Sequence, residues 1–255
     1  MIKTEYPFVY IGSLMRTGST VMQECLTKVP FSFIFCEPKF GQKIFKIDPK
    51  FLTDLPFNVR LYLKPPSVEM LAKKLMPKLK GKIAQVGVKE IKNNGWRDYL
   101  KYFSDVRFVL TGRNPRDIYL SVNDWVALRN PHAWKRGGIL IPELLFSAVN
   151  MDFIRQKQMF KAGKAMRVKY EEFCKDPDTI LSNVKEFVKS PIPNIGEIGG
   201  YTSVNPKRGA EYRRHGKKIT SLRINRWKKE PDKQLVLRAE KFANLMSDYC
   251  NFWGY

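Results

Sequence analysis

Two short stretches carry the residues whose types and spacing could do chemistry. Residues 8–20 read FVYIGSLMRTGST, an apolar run that breaks into a small polar turn. A strand, a tight turn and a helix start together make an anion site. The first N–H groups of a helix have no intrahelical partner, and the helix dipole is positive at that end. Gly18 lets the backbone approach an anion, Thr17 lies in the bend, Ser19 and Thr20 add hydroxyls, and Arg16 is the nearest cation. The Walker pattern GxxxxGK[ST] requires lysine directly after its second glycine. Here Ser19 stands in that place, and five residues rather than four separate Gly12 from Gly18. The loop is therefore expected to hold a phosphate without the lysine–magnesium arrangement, and no metal is expected. From this stretch alone, an ordinary strand–helix turn remains the alternative.

The second stretch, VRFVLTGRNPRDIYLS at residues 106–121, again runs from strand into helix. Arg113 at the strand end can present a planar fork to a phosphate, and Ser121, about two turns into the helix, can add a hydroxyl. Two anion sites after two parallel strands imply a ligand with phosphates at both ends.

The elements that must position these residues alternate strand with helix, which predicts a three-layer α/β fold with a mainly parallel sheet and helices on both faces. The expected strands include 7–12, 84–89, 107–111 and 166–169. Expected helices cover 19–29, 67–79 (capped by Ser67, with Glu69 in its first turn), 115–128 opened by Pro115, 141–162, 176–188 capped by Asp176, and 232–249. Residues 40–66 and 196–216 read as loops that would cover acceptor or donor within one domain spanning 1–255.

At 255 residues the chain can bury one sizeable core, and 44% apolar content argues against disorder. No stretch reaches the roughly 18 consecutive apolar residues of a membrane helix, and no secretory leader is apparent. The four scattered cysteines (Cys25, Cys36, Cys174, Cys250) lack CxxC spacing and read as reduced thiols, so a cytoplasmic setting is expected and zinc is not. The formal charge of +22 would attract nucleic acid, anionic lipid, an acidic polymer or a polyanionic cofactor, or would simply be a solvated surface.

In these motifs the sequence resembles the sulfotransferases that use 3′-phosphoadenosine 5′-phosphosulfate. The family's RxGST-like loop, which binds the 5′-phosphosulfate, is matched by Arg16–Thr17–Gly18–Ser19–Thr20. Its R(N/D)PRD strand end and helical serine, which bind the 3′-phosphate, are matched by Arg113 and Ser121. Residues 168–188 (VKYEEFCKDPDTILSNVKEFV) resemble its RYEDL…DP…F segment, and 219–229 (ITSLRINRWKK) its basic–tryptophan segment. The resemblance implies a P-loop-like fold and this donor, with Tyr170 and Arg226 near the nucleotide and Lys217 and Lys218 in a loop closing over it. Tyr170 and Trp227 have the alternative of being core aromatics.

Sulfuryl transfer then requires a general base for the acceptor's proton and a cation for the departing phosphate. Soluble small-molecule members place a histidine two residues after a lysine, but in VGVKEIKNN that position is Ile91, and neither His132 nor His215 falls in the motif. Two carboxylates compete. Glu37, in FIFCEPKF, matches the glutamate of protein-tyrosine and carbohydrate-type relatives, whereas Glu90 directly follows Lys89. Strand alternation puts Lys89 and Glu90 on opposite faces, and the resemblance implies that Lys89 is the family's lysine bridging donor and acceptor, which places Lys89 inward and favours Glu37 as base. An anionic acceptor (a carbohydrate, glycolipid or peptide) is expected, and peripheral membrane contact is compatible. A small-molecule kinase using ATP is the alternative enzyme. A basic nucleic-acid-binding module built on residues 207–229 ranks lower, because no nucleic-acid motif is present.

Overall fold

Five parallel strands form the central sheet in the order β2-β3-β1-β4-β7. The structure, a computed structural model, describes residues 1–28, 30–37, 67–129, 135–136, 139–193 and 219–255. The expected loops at 40–66 and 196–216, Lys217, Lys218 and both histidines lie outside the described residues. Strand β1 is Phe8–Ser13, buried along its whole length because it lies between β3 (Gln85–Glu90) and β4 (Val106–Gly112). The outer strands are β2 (Ser32–Cys36), paired to β3, and β7 (Ala165–Lys169), paired to β4. A small antiparallel pair, β5 (Lys135–Arg136) and β6 (Ile139–Leu140), stands apart from the sheet.

Side-chain alternation along the strands divides the core into two layers. Val9, Ile11, Ile34 and Val109 face helices α1 (Ser19–Cys25), α6 (Tyr170–Lys175) and α7 (Pro177–Val188). Phe8, Tyr10, Phe33, Val88 and Phe108 face the opposite way. That layer is closed by α2 (the helical run from Val68 to Leu79), α3 (Trp96–Tyr102), α4 (Pro115–Arg129), α5 (Pro142–Lys161), α8 (Lys233–Leu245) and α9 (Ser247–Trp253).

Local chemistry sets several boundaries where expected. Ser67 accepts from the N–H of Met70 at 3.1 Å, Asp176 accepts from Thr179 at 3.2 Å, and Pro115 opens α4. Three elements differ from expectation. Helix α1 stops at Cys25, because the Thr27 hydroxyl turns back onto Gln23 O and Lys28 already bridges to Ser32. Within α2, residues Leu71–Leu75 form a π turn. Pro77 follows it, without an N–H to donate to the turn before and with a ring that crowds that turn's carbonyl. The expected closing helix is two helices, broken where the Met246 N–H is shared between Phe242 O and Ala243 O.

Candidate active site

All five strands are parallel, so their C-terminal ends open on one edge, where ligands of such sheets bind. Strand β1 ends there in the bend 14–18. Arg16 (φ 68°) and Gly18 (φ 85°) adopt left-handed backbone, which reverses the chain sharply into α1. Thr17 is buried, its hydroxyl bonded to Leu14 O at 2.9 Å and shared with the Thr111 hydroxyl at 2.8 Å. That hydroxyl therefore fixes the bend to β4, and Thr17 can offer an anion only its backbone N–H. Among the described residues no side chain caps the start of α1, which begins at Ser19 and Thr20.

On the β4 side of the bend, four residues converge. Arg16 Nε donates to Ser121 Oγ at 2.9 Å. Arg113 donates through its terminal nitrogens to Arg16 O at 3.3 Å and Arg223 O at 2.7 Å, and its Nε is buried without a hydrogen-bond partner among the described residues. Its guanidinium lies 4.5 Å from the Tyr170 ring centre. The same ring covers Gly18 so closely that a Cβ there would come within 2.5 Å of Cδ2. Burial pushes the Tyr170 phenol up to about 12 despite the adjacent Arg113 charge. Tyr249 in α9 holds the Arg113 backbone at both ends, accepting from its N–H at 2.9 Å and donating to its carbonyl at 3.0 Å.

On the β3 side lie Lys89 and Glu37. Lys89 pairs with Ile11 and Cys36 in the sheet register, and only 2% of its side chain is exposed. Its Nζ forms an ion pair with Glu37 Oε1. Glu37 follows β2 directly with φ 46°, and its N–H donates to Lys89 O at 2.7 Å. The left-handed turn thus folds the carboxylate back over the neighbouring strand. Glu90 points to the other face, where its charge acts on the buried phenols of Tyr10 and Tyr99. The alternation expected for these neighbours is the one observed.

No protein-family model matches the sequence, and no curated protein matches it. Among solved structures, the chain is similar to the sulfotransferase domain of the curacin biosynthetic pathway, with a TM-score of 0.61, 14% identity, and 96% of this chain and 98% of that one covered. It is similar also to the sulfotransferase domain of the Synechococcus PCC 7002 olefin synthase, with a TM-score of 0.59, 17% identity and 96% of each chain covered. The chain has the sulfotransferase fold. A Mycobacterium avium sulfotransferase shares it at a TM-score of 0.53 and 14% identity, over 98% of this chain and 77% of that one.

Within the sulfotransferase fold, the motif residues of this chain divide into two groups flanking the bend. Arg16, Ser121, Arg113 and Tyr170 form one; Glu37 and Lys89 form the other. The Nε of Arg16 is turned toward α4 onto Ser121. Arg226 is engaged by carboxylates: its guanidinium pairs with both oxygens of Asp124 and approaches Glu230 at 3.4 Å.

Several positioning residues escaped the sequence reading. Asp117, 1% exposed, accepts the Trp227 N–H at 3.1 Å, and burial raises its carboxyl above the ordinary aspartate range against the opposing pull of Arg113 and backbone N–H groups. Glu171 accepts from the Asn114 N–H at 2.8 Å and from the Tyr255 hydroxyl at 2.7 Å. A signal for the first group existed: Asp117, Ser121 and Asp124 share one face of α4 at spacings of four and three.

Proposed function

We propose that this chain is a sulfotransferase that moves a sulfuryl group from 3′-phosphoadenosine 5′-phosphosulfate to a hydroxyl or amine of an anionic acceptor, of the carbohydrate, glycolipid or peptide class. The observation that carries this reading is the buried Lys89 paired with Glu37 beside a phosphate-type bend that lacks the Walker lysine. The reduced thiols Cys25, Cys174 and Cys250 are compatible with a cytoplasmic setting.

The chain's polar groups fit the donor. Among the described residues Arg113 Nε is a buried donor without a hydrogen-bond partner, an arrangement that is costly unless an acceptor arrives. The same guanidinium bonds Arg16 O in the bend that leads into α1, and Arg16 in turn is oriented by the Ser121 hydroxyl. The Tyr170 ring supports Arg113 from below and closes on Gly18. Lys217, Lys218 and Arg226 belong to the same reading as donor contacts, Arg226 by exchanging Asp124 for phosphate.

When bound, the donor supplies an activated sulfuryl group on a phosphate leaving group. Glu37 takes the proton of the acceptor nucleophile at its carboxylate, and Lys89 remains within ion-pair reach to carry the negative charge that develops on the leaving side. Arg16 and the amides of residues 17–20 share that charge. A general base of this kind contributes about 10²- to 10⁴-fold to rate. Glu37→Gln keeps an oxygen for Lys89 yet loses the base, so turnover with labelled donor should fall by about 10²-fold or more while 3′,5′-diphosphoadenosine binding persists. Near-normal turnover in Glu37→Gln combined with loss in Glu90→Gln would overturn the assignment of the base. Magnesium-dependent ATP turnover with no binding of the diphosphonucleoside would overturn the function.

A further inference from the structure

The polyanionic donor would account for positive charge at the C-terminal edge of the sheet, but a second concentration lies at the opposite edge. Gln85, the first residue of β3, ties several strand starts together there. Its amide donates to Pro7 O at 3.1 Å, just before β1, and to Val188 O at 2.7 Å, at the end of α7. The neighbouring Ala84 N–H donates to Pro30 O at 3.0 Å, just before β2. These bonds bring three segments, 26–28, 78–84 and 185–190, alongside the chain before β1 that holds Glu5; the three carry Lys28, Lys78, Lys80, Lys82, Lys185 and Lys189 against a single carboxylate of their own, Glu186. Lys78, Lys80, Lys82 and Lys189 are exposed, while Lys28 and Lys185 are half-buried, the latter with its ammonium on Pro193 O at 3.0 Å.

A strand of six residues spans about 20 Å, so this cluster is some two Debye lengths from the bend that would hold the donor. It contributes little to donor binding at physiological salt.

From this placement we propose that the strand-start edge is a docking surface for an anionic lipid membrane. Charge complementarity defines the partner, and the residue types narrow its class. All six cations are lysines, compact hydrated point charges suited to a diffuse anionic plane. A site for individual phosphates would be expected to use the bidentate fork of arginine. The aromatic ring of these segments, Phe187, is half-buried with the Arg107 guanidinium 5.7 Å from its centre, which leaves little face on which nucleic-acid bases could stack. Lys78 lies in the last turn of α2, Lys80 follows as its C-cap and Lys82 lies in the next turn, while the helix is buried through Leu71, Leu75 and Leu79. Six lysines gathered in one cluster fall within the four to eight basic residues whose clustering attracts acidic lipid. Adsorption through this edge points the Glu37–Lys89 edge away from the bilayer, which favours the carbohydrate and peptide acceptors of the aqueous phase over a glycolipid of the same membrane.

The test is sedimentation of the whole chain with phosphatidylcholine vesicles carrying phosphatidylserine, against vesicles of phosphatidylcholine alone. Binding should require the acidic lipid and fall steeply with salt. The triple change Lys78→Gln, Lys80→Gln, Lys82→Gln should lower partitioning about a hundredfold, at roughly a factor of five per lysine, while the arginine triple retains it. Binding of 3′,5′-diphosphoadenosine should be the same in all three proteins, which checks folding and separates this proposal from the donor assignment. Equal binding to neutral vesicles, no binding to either at low salt, or undiminished binding by the glutamine triple would overturn the proposal. Capture of single-stranded DNA or heparin in the absence of vesicle binding would reassign the edge to a polyanionic chain and overturn it too.

Discussion

Placing a methyl group on Gly18 tests the packing that holds the bend. The alanine must keep φ near 85°, a left-handed backbone that costs a residue with a Cβ about 1–2 kcal/mol. Its Cβ would also meet Tyr170 Cδ2 at 2.5 Å, closer than two carbons can lie, so the ring must move. That movement disturbs the stack on Arg113, an interaction of about 0.5–2 kcal/mol. Gly18→Ala should therefore destabilise the chain by about 1.5–4 kcal/mol, the sum of the two effects. In a Tyr170→Ala background only the backbone cost of about 1–2 kcal/mol remains. Urea denaturation of the four proteins in a double-mutant cycle reads the difference, and a coupling of about 1 kcal/mol is expected. Calorimetry with 3′,5′-diphosphoadenosine should show weaker binding for Gly18→Ala. The reasoning is refuted if Gly18→Ala has the same effect in both backgrounds, because the ring then does not sense the methyl group.

Three further outcomes follow from the same geometry. Arg113→Lys replaces a fork that reaches two carbonyls with a single ammonium, so diphosphonucleoside affinity should drop about tenfold or more by calorimetry. Burial pushes the Cys25 thiol up to about 12, leaving roughly a thousandfold less thiolate near pH 8 than an ordinary cysteine. Mass spectrometry after brief alkylation should find Cys25 unmodified until the chain unfolds. For Asp117 the folded pKa is raised, so the folded chain binds this proton more tightly than the unfolded one. The stability Asp117 contributes relative to Asp117→Asn is then full below the unfolded value of about 4 and declines as pH rises through the folded value. Urea titrations of both proteins from about pH 4 to about pH 7 check this, and a difference that grows with pH contradicts it.

What was legible in the sequence was mostly local. The bend at Gly18, the caps at Ser67 and Asp176 and the opening at Pro115 are chemistry between residues a few positions apart. The opposite facing of Lys89 and Glu90 follows from the pleat alone. The direction of Arg16 was not legible, because its partner Ser121 lies in another helix and competes with any ligand for the guanidinium. Arg226 likewise reads as a free cation in the sequence until the fold brings Asp124 to it. The break at Met246 and the early end of α1 depend on hydrogen bonds shared between turns, which no single-residue preference encodes.

The face of α4 that presents Asp117, Ser121 and Asp124 has a consequence for recombination and design. Asp117 and Asp124 grip the segment 221–229, and Ser121 between them grips the bend after β1. Each residue advances the helix by about 100°, so removing one residue between Asp117 and Ser121 would swing the hydroxyl away from Arg16 while Asp117 still faced Trp227. Three segments distant in the chain are therefore kept in phase by about two helical turns. A chimera that exchanges residues 8–20 with another sulfotransferase-fold protein should keep its register only if 113–124 and 221–229 travel with it.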